Sequence, residues 1–288
     1  MGPHDGLRAP CARLLRHGLL TAGVAAALTW AAAPADGQGL IYAPEPGASA
    51  LYQTRNLLTV SQTVLERENH YALESSGVVR LTLLDGGARM LWRLGYDELA
   101  LRIEGAFPTP RAEALRGTVV TLATTPRGQV LDALASGVVT AGIGAQYVER
   151  AAAAFLPHLP GGRATQGASW TDTLSVTEIL QGVTAEVRTI VTFTVRDTVS
   201  WAGRPMVPVE YRGRIEVDGA GTIEGSRVTL RGAGELAGHY LYDPAERLFA
   251  LHEQEQSLDS TLRLSDASGP PVEIPSRQVL RTRAERLY

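Results

Sequence analysis

Along much of this chain apolar and polar residues alternate with a period of two. From 187 to 195 the apolar side chains Val187, Val191, Phe193 and Val195 fall on one side, and threonine and arginine fill most of the other. That is the pattern of an antiparallel strand with one buried and one wetted face. Gly, Pro and Asp divide the remainder into similar segments. The run 78–84 stops at Asp85-Gly86-Gly87 and resumes over 90–94. Asp-Gly and Gly-Gly supply the positive φ angles that a tight hairpin needs, so a hairpin is predicted here. Residues 99–103 continue it to a loop at Pro108 and Pro110. A second hairpin is predicted for 118–123 and 129–133 around Thr125-Pro126-Arg127-Gly128. One helix is predicted, over 145–156. Val148, Ala152 and Phe155 share a face there, Glu149 and Arg150 lie on another, and Pro157 and Pro160 end it.

The second half reads as strands over 171–180, 185–200, 206–217 and 222–231, with Asp218-Gly219 as a hairpin signal. Residues 239–242 and 247–252 flank the turn Asp243-Pro244-Ala245-Glu246, and a last strand, 279–287, follows Pro270-Pro271. Gly219 and Gly221, and Gly232 and Gly234, are read as bulge or bend glycines. The predicted fold class is mainly β: long antiparallel strands in one or two strongly curved sheets, half-barrel-like, with one short helix near the midpoint.

The N-terminus departs from this pattern. Arg8, Arg13 and Arg16 precede an uncharged, Ala-rich run over 18–33, the form of a secretory signal peptide. Cleavage after Ala33 would leave Pro34 first, so the site is placed after Ala35, before Asp36. The run is shorter than the ~20 residues that span a bilayer, so no transmembrane span is expected after cleavage. Cys11, the one cysteine, precedes the apolar run, which is not the lipoprotein arrangement, and the mature chain has no cysteine. The expected organisation is a signal peptide over 1–35, an extended linker over 36–48, a β half over 49–160 that ends in the helix, and a second β half over 161–288.

All 27 basic residues are arginine, which excludes lysine nucleophiles and Schiff bases. Loss of residues 1–35 leaves 24 Arg against 29 acidic residues with no basic run, which argues against nucleic-acid binding. No nucleophile elbow, phosphate loop or cysteine pair is present. His252-Glu253-Gln254-Glu255-Gln256 begins like a zinc-binding helix, but it ends in glutamine and lies in a strand pattern. It is read as a solvent-facing polar strand, with Glu253 and Glu255 as an exposed acidic stripe. The mature histidines are His70, His158, His239 and His252. The expected register puts His239 opposite Ala250 and His252 opposite Ala237, a diagonal offset. His158 is read as sitting at the negative end of the helix dipole. Arg281 and Arg283, joined by Arg277, read as a charged edge that blocks sheet association, with a docking stripe for anionic lipid or a partner as the alternative. No catalytic residue, metal site or cofactor is expected.

Three stretches carry a resemblance: Leu156-Pro157-His158-Leu159-Pro160; Gly167-Ala168-Ser169-Trp170; and Gly238-His239-Tyr240-Leu241-Tyr242-Asp243-Pro244 with Arg247-Leu248. They resemble a group of exported bacterial β-rich proteins, themselves similar to the open half-barrels of LolA/LolB-like periplasmic lipoprotein carriers. The chain departs from the group at Ala245-Glu246, where relatives tend to have glycine. The resemblance covers roughly residues 50–288. It implies a curved antiparallel sheet that wraps one or two helices and holds acyl chains, and it transfers no catalytic residue. The expectation is an exported, periplasmic or secreted, non-enzymatic protein that binds a lipid or other apolar small molecule in the cell envelope. Val148, Phe155 and Trp170 are its candidate cavity-lining residues. The alternative is a structural or interaction protein with a filled core. An outer-membrane barrel ranks below both: the chain is 6% aromatic, and Arg286 interrupts the apolar alternation before Tyr288.

Overall fold

The computed structural model describes residues 40–64, 66–105, 117–136, 152–160, 165–180, 183–223, 225–265 and 270–288. Twelve strands follow one another: β1 (Ser49–Val64), β2 (Arg67–Asp85), β3 (Met90–Glu104), β4 (Val119–Thr124), β5 (Val130–Ser136), β6 (Ser169–Leu180), β7 (Val183–Val195), β8 (Val199–Trp201), β9 (Arg204–Ile223), β10 (Ser226–Asp243), β11 (Leu248–Ser265) and β12 (Val272–Leu287). They form a single antiparallel sheet in the order β5-β4-β3-β2-β1-β12-β11-β10-β9-β7-β6, with β8 attached to β9. The first half of the chain supplies β5 to β1, and the second supplies β12 to β6. The halves meet along one seam, β1 against β12, in register from Leu51 opposite Leu287 to Gln62 opposite Ser276.

The sheet curls. At the spacing of neighbouring strands, a flat sheet of this order would separate β5 from β6 by roughly 50 Å. Yet Trp92 and Leu94 of β3, Leu122 of β4, Leu174 of β6 and Phe193 of β7 share one hydrophobic core. Ala152, Ala153, Leu156 and Leu159, between the two halves in sequence, complete that core. Tyr52 and Phe249 stack at 4.5 Å, and Phe155 meets them edge-on at 5.3 and 5.6 Å. Each such aromatic pair contributes about 0.5–1.5 kcal/mol beyond its buried area.

The inner face is mostly apolar because the two-residue alternation keeps most of the charge off it. On the outer face, opposite charges lie across neighbouring strands: Arg55 with Glu74 at 2.7 Å, Arg281 with Glu255 at 2.8 Å, Arg283 with Glu253, Arg196 with Glu210 at 2.6 Å, and Arg231 with Asp218 at 3.7 Å. Each exposed pair is worth only about 0.2–1 kcal/mol. Their larger consequence is that the outer face is wetted from β2 across to β9.

The hairpins predicted at Asp85-Gly86-Gly87 and around Pro126 join β2 to β3 and β4 to β5. The turn at Asp243 joins β10 to β11. Asp218-Gly219 is no turn: it lies within the 20-residue β9, and the chain reverses at Gly225, where φ is +84°. Asp218 points to the wet face. A Cβ on Gly219 would fall 3.0 Å from that of Ala185, so glycine here admits the adjacent strand β7. The predicted strand 222–231 is accordingly split between β9 and β10, and 185–200 between β7 and β8. β12 is no edge strand. It pairs with β1 and β11, so its arginines belong to the ladder described above.

Residues 145–151 of the predicted helix, with Val148, and residues 1–39, with the signal peptide and its cleavage site, lie outside the described residues. Ala152 and Ala153 are helical, and the chain then turns through Ala154 and Phe155 into extended backbone. Residues 40–48, within the segment read as an extended linker, turn at Pro46 and Gly47 and are anchored. Leu40 and Tyr42 are buried in the core, Tyr42 N–H donates to Pro126 O at 2.6 Å, and Tyr42 Oη donates to Pro157 O at 2.6 Å. This strap and the segment 152–160 hold each other inside the curl.

Candidate functional site

Beneath the segment 152–160 the inner face holds a partly open cavity of about 130 Å³. Ala153, Leu156 and His158 close it on one side, Gly128 and Val130 of the β4–β5 hairpin on another, and Leu174, Val191, Phe193, Ile215 and Leu236 form its apolar wall. Across that wall runs a polar row: His252, Gln254 and Gln256 of β11, with Thr282 of β12, Tyr211 of β9 and Thr189 of β7.

The row exists because of a register the sequence reading missed. His252 lies opposite Tyr240, and His239 lies opposite Glu253. The two histidines therefore point to opposite faces, not diagonally across one. Two features produce this. The β10–β11 turn has four residues between Asp243 and Leu248, with Arg247 at φ +54°, and a bulge follows at Leu241 and Tyr242. A slip by an odd number of residues exchanges the faces of a strand. His252, read as solvent-facing, is buried, while His239 is on the outer face, 3.8 Å from Glu253. A signal was present in the alternation: Glu253 and Glu255 take the wet face, which sends the neutral His252, Gln254 and Gln256 inward.

His252 Nε2 and Tyr211 Oη are 2.8 Å apart, and Tyr211 Oη donates to Gln254 Oε1 at 3.1 Å. With the tyrosine proton given to Gln254, the histidine Nε2–H is the donor in the first bond. Gly238 makes room for this chain. A Cβ there would fall 2.5 Å from Tyr211 Oη and 2.4 Å from Glu253 O. Burial pushes the Tyr211 hydroxyl well above its ordinary range and pushes His252 down to about 4, with His239 adding to the latter. At neutral pH the row is hydrogen-bonding and uncharged.

At the cavity mouth, His158 Nε2 is 3.9 Å from Asp172, and its ring lies 6.0 Å from that of Phe193. Burial, then the charge of Arg127, pushes His158 down to about 3, so it is neutral and set within the core, not placed to serve a helix terminus. Burial raises Asp172, and the Arg127 guanidinium at 3.6 Å works against that rise. Arg127 also donates from Nε to Leu159 O at 3.2 Å, and Leu159 N–H donates to Arg127 O at 2.9 Å. The hairpin thus fixes the segment 152–160 from its own turn.

The two histidines make stability depend on pH. Above their ordinary value of 6.5 they are neutral in both the folded and the unfolded chain. Below it the unfolded chain takes up protons that the folded chain refuses. Stability therefore falls as pH drops from 6.5 toward about 4 for His252 and about 3 for His158, by up to about 1.4 kcal/mol per pH unit for each. Urea midpoints measured at pH 7 and pH 5 should show a smaller drop in His158→Gln and His252→Gln than in the parent chain. Equal drops would contradict this assignment.

Of the cavity-lining candidates, Phe155 stands in the aromatic cluster with Tyr52 and Phe249, and the half-buried Trp170 packs against the margin of the core. On the outer face a shallower depression of about 410 Å³ is lined by Arg55, His239, Glu253, Glu255, Arg281 and Arg283. Its opposite charges face one another, so it presents no single sign to a partner. Among the described residues no group of three His, Cys, Asp or Glu side chains is arranged to hold a metal ion. No helix among them is long and apolar enough to cross a membrane.

No protein-family model matches the chain, and no curated protein matches it in sequence. Solved structures that resemble it include Neisserial surface protein A, at 6% identity over 83% of this chain and 99% of the other, with a TM-score of 0.21. An outer membrane channel from Pseudomonas putida matches at 10% identity over 87% and 100%, with a TM-score of 0.25. A BenF-like porin from Pseudomonas fluorescens matches at 8% over 84% and 100%, with a TM-score of 0.22. At these scores the likeness extends no further than the abundance of antiparallel strand.

Proposed function

We propose that this is an exported, non-enzymatic β protein that binds a small apolar ligand inside its curled sheet, in the cell envelope. The observation that carries the reading is the partly open cavity, with its apolar wall crossed by one uncharged polar row. Binding sites are commonly of this kind: mostly hydrophobic, with a few placed polar groups that orient the ligand. The cavity is close in size to a ~150 Å³ apolar cavity that accepts benzene, so it seats a ring or a short chain. A longer lipid would place only its end there unless the segment 152–160 shifted. The row is uncharged at neutral pH and offers hydrogen bonds, which favours binding over turnover.

The distribution of charge supports a water-facing protein over a membrane-spanning barrel. A lipid-facing strand surface bears an apolar band, and each Arg at its midplane costs about 2–4 kcal/mol. Here Arg55, Arg188, Arg212, Arg214, Arg281 and Arg283 occupy the outer face at mid-strand. Native mass spectrometry of the protein purified from its own envelope tests the reading. A co-purifying small mass, released on denaturation, is expected. Repeated absence of any such mass, with no uptake of an added apolar probe, would replace the binding reading with that of an envelope scaffold.

A further inference from the structure

We infer, on the basis of that binding reading, that the ligand class is an uncharged amphiphile, with its hydrogen-bonding head on the row of Tyr211, His252 and Gln254 and its hydrocarbon part against Leu174, Val191, Phe193 and Ile215. The row itself excludes a charged head. An anion seated on it would need a cation, and among the described residues no arginine lines the cavity. The basic group at its mouth, Arg127, is 3.6 Å from Asp172 and donates to Leu159 O. An ammonium ion would need a carboxylate, and Asp172 is held by that same arginine. Transfer of an unpaired charge into such a site costs far more than a hydrogen bond returns.

An entirely apolar ligand is also disfavoured. It would cover hydrogen-bonding capacity that the row does not spend on itself. Tyr211 Oη spends its proton on Gln254 Oε1 and meets His252 Nε2. Gln254, Thr189 and Thr282 also border the cavity, and they carry further amide N–H and hydroxyl groups. Polar groups covered without partners are costly, so a head with a hydroxyl, ester or ketone oxygen is selected over a bare hydrocarbon. Gly238 has the same effect: by omitting a side chain it lets the tyrosine hydroxyl reach over β10 to the row.

Titration of the folded mature chain with four congeners of one ring tests this: toluene, benzyl alcohol, benzoate and benzylamine at neutral pH, followed by ligand-observed NMR. Benzyl alcohol should bind more tightly than toluene by about tenfold, the worth of one neutral hydrogen bond, and the two ions should bind more weakly than either. In Tyr211→Phe, and separately in Gln254→Leu, the preference for benzyl alcohol over toluene should shrink toward unity. Each variant is checked for folding by circular dichroism. Tighter binding of benzoate or benzylamine would overturn the inference. So would equal binding of toluene and benzyl alcohol, or a preference unchanged in both variants, although the cavity would then still be an apolar binding site. Failure of all four probes to bind a folded chain would instead remove the binding reading on which the inference rests.

Discussion

Replacement of Trp92 by alanine is expected to destabilise the protein by about 3–5 kcal/mol, among the largest effects of any single substitution in the core. Trp92 is fully buried, its Nε1 donates to Thr124 Oγ1 at 2.9 Å, and its ring meets Tyr42 edge-on at 6.0 Å. The one side chain therefore ties β3 to β4 and to the N-terminal strap. Alanine leaves a cavity among groups that belong to three separate elements and cannot collapse together. Phenylalanine keeps most of the volume and removes only the donor, which leaves a buried threonine hydroxyl at a cost of about 1–3 kcal/mol. Urea denaturation of the parent, Trp92→Phe and Trp92→Ala should rank in that order of falling midpoint. Equal midpoints for the two variants would show that the site relaxes and that the strap does not depend on it.

The second large effect is expected at Asp243. The side chain is only 1% exposed and has two duties. Its Oδ1 accepts from the backbone N–H groups of Ala245 and Glu246 at 3.0 and 3.2 Å, which fixes the β10–β11 turn. Its Oδ2 lies 3.3 Å from Arg204 and 4.0 Å from Arg286, whose guanidinium groups stand over the ring of Tyr288. Loss of the buried carboxylate leaves Arg204 and Arg286 with only the half-exposed Glu246, at 2.9 and 3.7 Å, as their partner, at about 1–3 kcal/mol, to which the loss of the turn adds. Asp243→Ala removes both duties. Asp243→Asn keeps the turn acceptor and loses only the charge, so its loss should be distinctly smaller. If the two variants lose the same stability, the charge cluster alone matters. If both lose under about 1 kcal/mol, solvent reaches the cluster and screens it.

How much of this was legible in the sequence depended on whether a local signal decided the outcome. Asp85-Gly86-Gly87 and Asp243-Pro244 marked turns because their backbone preferences have no better use nearby. The apolar face of β7 was legible because alternation survives along its whole length. Asp218-Gly219 carries the same local signal as a true hairpin, and only the approach of Ala185 from another strand decides against it. The polar row was missed for a related reason. Its orientation depends on a bulge at Leu241 and Tyr242 and on the left-handed Arg247, neither of which residue type announces. The arginines of β12 looked like an edge because the last strand of a chain has no sequence neighbour, and nothing local reports that β1 returns to pair with it.

That pairing has a consequence for how the molecule comes into being. Most neighbours in the sheet are hairpin partners and can zip together soon after they emerge, but the seam joins the first strand to the last. Until β12 has been synthesised, β1 exposes a long row of unpaired amides and carbonyls, and the inner face of the first half has no opposite wall. The entropic cost of that closure falls on a single late step that spans nearly the whole chain. The protein is thus two local meanders waiting on one long-range event, and its most aggregation-prone moment comes just before it is complete.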